Sequence, residues 1–376
     1  ACIDKVGNPI LAGYTASKIR WFRDRHPGQY AQMDSIMLPH DYLNYYLTGE
    51  QCMEAGDASG TGFFSIRDRA WSSEMLAAID PGRDLRECLP EVRTDNAAIG
   101  SLRDSVAERL GLPRGVPVAT GGGDNMMGAI GTGNVSPGAV TMSLGTSGTV
   151  YAYSDRPVID PKGSIAAFCS STGGWLPLLC TMNCTVSTEL MRTLVNADIA
   201  SFERQVSTAG RGAEGLLTIP FFNGERTPNL PNAKGCILGL DTRNSRPENL
   251  LRSAVEGATF ALRFGIDELA VLGIRTEQIV LTGGGANSPT WRQIVADVCE
   301  APVVMLRQEE GAAFGAALQA LAMFENAGAE LPALVLDHLE RDAERSAEPR
   351  PSAVSFYQDT YTRYQQAVGK VAELYG

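Results

Sequence analysis

The chain has 376 residues, of which 44% are apolar and 20% are charged, and its formal net charge is −11. These values are typical of a globular protein of two or three domains with a large hydrophobic core. The acidic charge argues against nucleic acid and anionic membrane surfaces as partners, and no apolar run reaches membrane-spanning length.

The first predicted elements are three helices, over residues 15–26, 30–36 and 42–47. An apolar segment at residues 116–119 then predicts a buried strand, followed by a glycine turn and a helix. The turn is TGGGDN, residues 120–125, with the carboxylate of Asp124 at its mouth. Because glycine has no Cβ, a substrate could approach the backbone here, and an acid in this position could be a general base. A plain loop or helix cap is the alternative, and the turn alone does not decide between them.

A second glycine turn, SLGTSGT at residues 143–149, lies between two segments rich in β-branched and aromatic residues. The pattern predicts a β-hairpin whose turn offers backbone N–H groups and hydroxyls on one concave surface, which suits phosphate oxygens. It is not a Walker loop, because no Gly-Lys-Ser/Thr follows it, and it is not a dinucleotide-binding fingerprint. An ordinary hairpin is the alternative.

A third turn, LTGGGANS at residues 281–288, lies between a predicted strand and a helix that begins at Pro289. Ser288 is a good N-cap for this helix, and proline fits its first position. Free N–H groups and the positive end of the helix dipole then meet where an anion can bind. A tight strand-to-helix turn of any α/β protein is the alternative, although three consecutive glycines exceed what such a turn needs.

The other predicted elements are a strand at 216–222, a long helix at 248–272, a strand at 302–306, a small-residue helix from 310 and an amphipathic helix at 355–374. The small-residue helix would pack closely on a sheet or leave room for adenine. The strand at 216–222 leads to GERTP, residues 224–228. Arg226 in this motif could face a substrate phosphate or pair with a local carboxylate.

The eight cysteines are scattered through mostly apolar contexts, which is typical of the reducing cytoplasm. Cys180 and Cys184 are close in sequence, but no second pair or neighbouring histidine completes a zinc site. The three histidines are too dispersed to suggest a triad or a metal site. We therefore expect no metal ligands among the side chains, and we expect His40, which precedes Asp41, to lie at a helix start.

Together and in this order, the three glycine turns resemble those of the FGGY carbohydrate kinases, which share the fold of actin and the Hsp70 ATPase. Residues 13–22 and 235–256 resemble the two signature regions of that family, although Arg25 stands where a different polar residue is expected. Within the family, the resemblance is greatest to the kinases of xylulose, and it is carried by residues 38–43, 47–50, 57–61 and 224–228.

The resemblance implies an α/β protein of the two-lobed, ribonuclease H-like fold. It implies a sugar-binding N-terminal domain at residues 1–135 and a nucleotide-binding C-terminal domain at residues 136–376. It also implies a cytoplasmic location and allows a homodimer, which is common in the family.

The activity implied by the resemblance is transfer of the γ-phosphate of ATP, with Mg²⁺, to a hydroxyl of D-xylulose. Asp124 would be the general base, and Asp124 and Asn125 would contact the sugar. The nucleotide would be bound by Gly145, Thr146, Ser147, Gly284, Gly285, Asn287 and Ser288. Ribulose, glycerol or gluconate as substrate, a protein-binding ATPase of the same fold, and an inactive ATP-binding fragment are the alternatives.

The start of the sequence departs from the family pattern. The family begins with a strand that carries an Asp-x-Gly-Thr phosphate loop, whereas this sequence opens close to the first signature region. We therefore expect the first domain to be incomplete in this chain. The strand at residues 116–119 would then have too few partners, and we predict that the residues before about 136 fold poorly.

Overall fold

The computed structural model describes residues 2–308, 310–325 and 330–375. In this part of the chain the α-helices are α1 (Cys2–Val6), α2 (Thr15–Arg25), α3 (Pro27–Tyr30), α4 (Pro39–Thr48), α5 (Ala55–Ser59), α6 (Ser73–Ile79), α7 (Asp104–Leu110), α8 (Asp124–Gly131), α9 (Thr185–Leu194), α10 (Ile199–Thr208), α11 (Pro247–Val271), α12 (Pro289–Cys299), α13 (Gly311–Phe324), α14 (Leu331–Asp337) and α15 (Pro351–Tyr375). Short 3₁₀ helices lie at Leu85–Cys88, Ala213–Gly215 and Gly284–Asn287. None of the described helices combines the length and the apolar composition that a membrane span requires.

The β-strands of the described residues are short, apart from two of seven residues. They are β1 (Cys52–Glu54), β2 (Phe64–Ser65), β3 (Ala70–Trp71), β4 (Glu91–Arg93), β5 (Ala98–Ser101), β6 (Pro117–Ala119), β7 (Gly138–Leu144), β8 (Gly148–Ala152), β9 (Leu178–Thr181), β10 (Leu217–Ile219), β11 (Cys236–Leu238), β12 (Thr276–Thr282) and β13 (Val303–Val304). The mixture of helices and sheets confirms the predicted α/β class.

The chain forms two compact units. Unit 1 contains residues 1–137, 153–177 and 310–339, and unit 2 contains residues 138–152, 178–309 and 340–376. Each unit therefore combines segments that are distant in the sequence, and α13 belongs to unit 1 although it lies near the end of the chain.

Unit 1 is built from helices and two-stranded sheets. β1 pairs with β4 in parallel, whereas β2 pairs with β3 and β5 pairs with β6 in antiparallel fashion. A buried apolar cluster includes Ile19 of α2, Tyr30 of α3 and Leu76 of α6. A smaller cluster of Leu102, Val106 and Ala107 packs against the partly buried Val118 of β6.

The predicted helix over residues 30–36 is wrong. Proline at the first position starts α3 at Pro27, and the helix ends at Tyr30, whose side chain is buried. The backbone N–H of Ile36 donates to the carbonyl of Cys88, and the Ile36 side chain is buried in the same apolar cluster. These contacts require an extended segment, so the helix cannot continue through it.

Two helices of unit 1, α8 and α13, pack backbone against backbone. A Cβ on Gly131 of α8 would lie 1.8 Å from the carbonyl oxygen of Gly311. A Cβ on Gly315 of α13 would lie 1.8 Å from the carbonyl oxygen of Met127. Only glycine permits such an approach. The close packing expected of the small-residue helix is thus present, but its main partner is a helix rather than a sheet.

Unit 2 contains a five-stranded sheet in the order β13-β12-β7-β8-β9. β12 runs parallel to β7 and β13, and β7, β8 and β9 are antiparallel neighbours. The β7–β8 hairpin, the β12 strand and the long helix α11 confirm the corresponding predictions. The predicted strands at 216–222 and 302–306 are shorter, since only β10 and β13 are paired within them.

Candidate active site

Asp124 is the first residue of α8, directly after the glycine loop that follows β6. Its side chain is exposed, and its Oδ1 accepts hydrogen bonds from the backbone N–H of Asn125 at 2.7 Å and from Asn125 Nδ2 at 3.0 Å. A helix N-terminus stabilises a carboxylate because its dipole is positive there. The structure thus holds an oriented, solvent-facing carboxylate at the position predicted for the base.

The three glycines of this loop are approached by side chains of unit 1. A Cβ on Gly121, whose φ is +70°, would lie 2.5 Å from His40 Nε2. A Cβ on Gly122 would lie 2.8 Å from Ser171 Oγ, and one on Gly123 would lie 2.9 Å from an Asp57 oxygen. Part of the reason for three glycines is therefore the packing of the protein itself.

His40 lies at the start of α4, as expected, and it contacts two carboxylates. Its Nδ1 lies 3.4 Å from Asp41 Oδ1 and 3.2 Å from Asp57 Oδ2. Burial alone would lower the pKa of His40, but the attraction of the two carboxylates outweighs it and raises the pKa to about 10. His40 is therefore a cation at neutral pH, and its Nε2 donates to the Thr120 carbonyl at 3.0 Å.

The same three groups could in geometry form a metal site, since their ligand atoms lie within 4.8 Å of one another. Because His40 Nδ1 lies within 3.4 Å of a carboxylate oxygen of each aspartate, we interpret His40, Asp41 and Asp57 as an ion-paired cluster. Sequence reasoning missed this cluster because it joins α4 to α5, and the spacing of the residues carries no motif.

Glu54 is a second acid beneath the loop, and sequence reasoning missed it. It is 4% exposed, and its carboxylate accepts from the backbone N–H of Asp57 at 3.0 Å and from Ser171 Oγ at 3.1 Å. Burial raises the pKa of Glu54 to about 7, against the effect of these hydrogen bonds. Glu54 is the N-cap residue of α5, but glutamate is not among the residues preferred at that position, so the sequence carries no signal for this role.

The second glycine turn connects β7 and β8 in unit 2, and the N-terminus of α9 holds its carbonyls. The backbone N–H groups of Cys184 and Thr185 donate to the carbonyls of Thr146 at 3.0 Å and Gly145 at 2.9 Å. In a trans peptide the N–H group points opposite to the C=O group. The N–H groups of Thr146 and Ser147, both in exposed residues, therefore point away from α9, as a phosphate-binding turn requires.

Glu225 supports the start of α9 from the GERTP motif, and it too was missed. Its buried carboxylate accepts from the backbone N–H of Met182 at 2.5 Å, from Asn183 Nδ2 at 3.1 Å and from the backbone N–H of Arg226 at 2.7 Å. Burial raises the pKa of Glu225. Arg226 itself is exposed, so the buried carboxylate of the motif belongs to its neighbour.

The third turn packs against the second at one end of the unit 2 sheet. A Cβ on Gly285 would lie 2.8 Å from Leu144 Cβ, and one on Gly283, whose φ is +85°, would lie 2.7 Å from the Leu144 backbone. Apart from atoms of Gly284 itself and of its two chain neighbours, a Cβ on Gly284 would have no atom of the described residues within 4 Å. Gly284 is thus the glycine of this turn that borders open space.

The side chains at the end of the third turn already have partners in unit 2. Ser288 Oγ accepts from the backbone N–H of Trp291 at 3.0 Å, which confirms the predicted N-cap, and it also donates to Glu203. Asn287 Oδ1 accepts from Arg345 at 2.9 Å. The side chain of Ser288 therefore has a structural role, whichever atoms of the residue meet a ligand.

A cavity of about 670 Å³ also lies in unit 1. It is lined by residues 94–98 and 171–173 and by the end of α13. Asp124 and Asn125 do not line it. The cavity is therefore not part of the predicted catalytic position.

Comparisons with known proteins match two consecutive parts of the chain, and the second match includes residues 153–177 and 310–324 of unit 1. Residues 1–131 match the N-terminal domain of the FGGY family of carbohydrate kinases, and residues 140–324 match its C-terminal domain. The chain is 48% identical over 364 residues to a xylulose kinase of Haemophilus influenzae, covering 97% of this chain and 73% of that protein. It is 36% identical to a xylulose kinase of Streptomyces rubiginosus, covering 99% of this chain and 73% of that one.

Solved structures show the same fold. The xylulose kinase of Bifidobacterium adolescentis matches with a TM-score of 0.82 at 29% identity, covering 96% of this chain and 74% of that one. A gluconate kinase of Lactobacillus acidophilus matches with a TM-score of 0.92 at 22% identity, covering 100% and 75%, so the fold alone does not identify the sugar. The two domain matches and the extent of the sequence identity establish that the chain belongs to the FGGY family of carbohydrate kinases.

Proposed function

We propose that this chain transfers the γ-phosphate of ATP to a hydroxyl of D-xylulose, giving D-xylulose 5-phosphate. The observation that carries the choice of sugar is the 48% identity, over 97% of the chain, to a relative named xylulose kinase. The proposal assigns the sugar to an N-terminal domain at residues 1–135 and the nucleotide to a C-terminal domain at residues 136–376.

Asp124 is the proposed general base, and Asn125 holds its carboxylate. As the sugar oxygen bonds to the γ-phosphorus and the bond from that phosphorus to ADP breaks, the proton of the hydroxyl passes to Asp124. Such a transfer needs mainly positioning and charge stabilisation. The exposed carboxylate at a helix N-terminus supports this role.

The nucleotide is proposed to lie against the second and third turns. The outward N–H groups of Thr146 and Ser147, next to Gly145, would donate to the β- and γ-phosphates. The ribose and α-phosphate would lie along the third turn, at Gly284, Gly285, Asn287 and Ser288. The open space beside Gly284 supports this placement.

Mg²⁺ is proposed to accompany ATP. It prefers oxygen ligands and usually binds through nucleotide phosphates together with one or two carboxylates. The nucleotide phosphates and water would therefore supply most of its ligands. When bound, the ion neutralises charge on the phosphates.

A cytoplasmic location and a homodimer are also proposed. The eight cysteines are present as thiols, which supports a reducing compartment. Sedimentation equilibrium would measure the oligomeric state directly.

The test of the activity is ADP release from Mg·ATP with and without D-xylulose, and with ribulose, glycerol and gluconate in parallel. Release that depends on D-xylulose and exceeds that with the other compounds supports the proposal. Sugar-independent release would indicate an ATPase, and stronger stimulation by another compound would identify a different substrate. If no ADP is released, the proposal is wrong for this chain, and the same assay on a chain extended at its N-terminus would test whether first-domain groups are required.

A further inference from the structure

One side chain holds both polar backbone groups of Gly121, three residues before Asp124. Gln319 of α13 is 2% exposed, and its Oε1 accepts from the Gly121 N–H at 2.9 Å. Its Nε2 donates to the Gly121 carbonyl at 3.2 Å. Gln319 thus binds Gly121 much as a neighbouring β-strand would.

The helix that carries Gln319 also holds the helix that begins with Asp124. Gly311 and Gly315 of α13 meet Gly131 and Met127 of α8 at backbone contact. The loop between Gly121 and Asp124 is therefore fixed at both ends to α13. Between these ends lie only Gly122 and Gly123, which are the residues with the greatest conformational freedom.

Other side chains support the loop at different atoms. Asn44 Nδ2 donates to the Thr120 carbonyl at 2.8 Å, and His40 donates to the same oxygen. These contacts fix the end of the strand rather than the glycines. His40 packs against Gly121, but Gln319 is the side chain that forms hydrogen bonds with both backbone groups of this glycine.

We propose that Gln319 is a positioning residue for phosphoryl transfer, because it fixes the loop that sets the place of the Asp124 carboxylate. The role in catalysis rests on the proposed function, whereas the effect on the loop does not. A base displaced by about 1 Å can lose roughly a hundredfold in rate. Loss of the two hydrogen bonds between Gln319 and Gly121 should therefore lower kcat. It should leave the KM for ATP nearly unchanged, because the two glycine turns proposed to bind ATP belong to unit 2.

A matched control exists in the same unit. Asn8 is fully buried, its Oδ1 accepts from the Ala167 N–H at 2.8 Å, and its Nδ2 donates to the Ala167 carbonyl at 2.7 Å. The chemistry is the same as that of Gln319, but the clamped residue is not in the glycine loop. Asn8→Leu therefore removes an equivalent pair of hydrogen bonds. It measures how much the loss of such a buried pair affects the protein when the glycine loop is not involved.

The experiment compares Gln319→Leu and Asn8→Leu with the unaltered chain, at a temperature at which all three are folded. Hydrogen exchange at residues 121–125 should rise at least about tenfold in Gln319→Leu and stay within about twofold in Asn8→Leu. With D-xylulose and ATP, kcat of Gln319→Leu should fall roughly tenfold to a hundredfold with a nearly unchanged KM for ATP. If the leucine variant does not fold, Gln319→Glu keeps the shape and the acceptor but removes the donor, and it should raise exchange at the same residues.

Unchanged exchange in the loop of the Gln319 variants would overturn the proposal, as would equal loosening of the loop by Asn8→Leu. Loosening of the loop with an unchanged kcat would overturn the catalytic role. If the unaltered chain shows no sugar-dependent turnover, the proposed function fails, while the exchange result still decides whether Gln319 fixes the loop.

Discussion

The glycine loop of unit 1 and the glycine turns of unit 2 are supported in different ways. Side chains from distant elements hold the loop before Asp124, among them His40, Asn44 and Gln319. Backbone groups hold the turn at residues 145–147, through the hairpin pairing of β7 with β8 and the N–H groups at the start of α9. Backbone support follows from the fold, whereas side-chain support can be removed by one substitution. A single side-chain substitution should therefore disturb the loop before Asp124 more than the turn at residues 145–147.

The strands that lead into the two regions also differ in how many neighbouring strands support them. β6, which precedes the loop, pairs only with β5 among the described residues. β7, which precedes the turn at residues 145–147, lies between β12 and β8 in the five-stranded sheet. A strand with one neighbour leaves the backbone groups of its other edge without strand partners.

The largest effect is expected when the carboxylate of Asp124 is removed. Asp124→Ala should lower kcat by roughly 10²-fold to 10⁴-fold with little change in the KM for ATP, because the proton of the sugar hydroxyl loses its acceptor. Steady-state kinetics with D-xylulose measures this. Asp104 is a matched control, since it is an exposed aspartate at the first position of α7 in the same unit. Near-normal turnover in Asp124→Ala, or an equal loss in Asp104→Ala, would remove Asp124 as the base.

Native-state hydrogen exchange should separate the two strands. We expect the amides of β7 to be protected about a hundredfold more than those of β6, because a strand with one partner opens at a lower free-energy cost. Peptides that cover residues 117–119 and 138–144 would report the difference. Strong protection at residues 116–122 would contradict the prediction that the residues before about 136 fold poorly.

Buried carboxyl groups extend the comparison to pH. The pKa of Glu54 is about 7 in the folded chain, above the ordinary value near 4.5, so folding favours its protonated form. Its contribution to the free energy of unfolding is therefore greatest below about pH 4.5 and is lost as the pH rises to about 7. Glutamine does not ionise, so the Glu54→Gln variant should not lose stability in this way. It should be about 3 kcal/mol more stable than the parent at pH 8 and about equal to it at pH 4.5.

Denaturant unfolding at the two pH values measures the effect, and Glu256 of unit 2 provides the contrast. Glu256 is also buried, but its Oε1 lies 2.8 Å from Arg252 Nε and accepts from the Tyr357 hydroxyl at 2.7 Å. Glu256→Gln would leave a buried guanidinium without its carboxylate, so it should destabilise the chain at both pH values. A Glu54→Gln variant that is less stable than the parent at pH 8 would show that the glutamate charge is favourable where it lies.

Features with local causes could be predicted from the sequence. The β7–β8 hairpin follows from β-branched residues on both sides of a glycine turn, the Ser288 cap from a serine before proline, and α11 from helical periodicity. The supports of the site could not be predicted in this way. Gln319 and Gly121 are 198 residues apart, and no local pattern marks either residue as the partner of the other.

Glu225 gives the last and smallest prediction, and it tests the turn of unit 2. Its carboxylate holds the backbone N–H of Met182 and the side chain of Asn183, which precede the N–H groups that bind the Gly145 and Thr146 carbonyls. In Glu225→Gln one oxygen still accepts a hydrogen bond, but an NH₂ group replaces the other oxygen and faces the N–H group of Met182 or Asn183. The start of α9 should therefore shift. We expect the KM for ATP to rise about tenfold, close to 1.4 kcal/mol, with a smaller change in kcat.

The result separates the two regions because Gln319→Leu should act on kcat and Glu225→Gln on the KM for ATP. Arg226→Ala is the control in the same motif, since Arg226 is exposed and the hydrogen bond that it gives to Glu225 comes from its backbone. If Arg226→Ala raises the KM for ATP more than Glu225→Gln, the arginine faces a phosphate, which is the role that the sequence left open. If both KM values stay at the parent value, the start of α9 does not control the turn, and the turn is held by the hairpin alone.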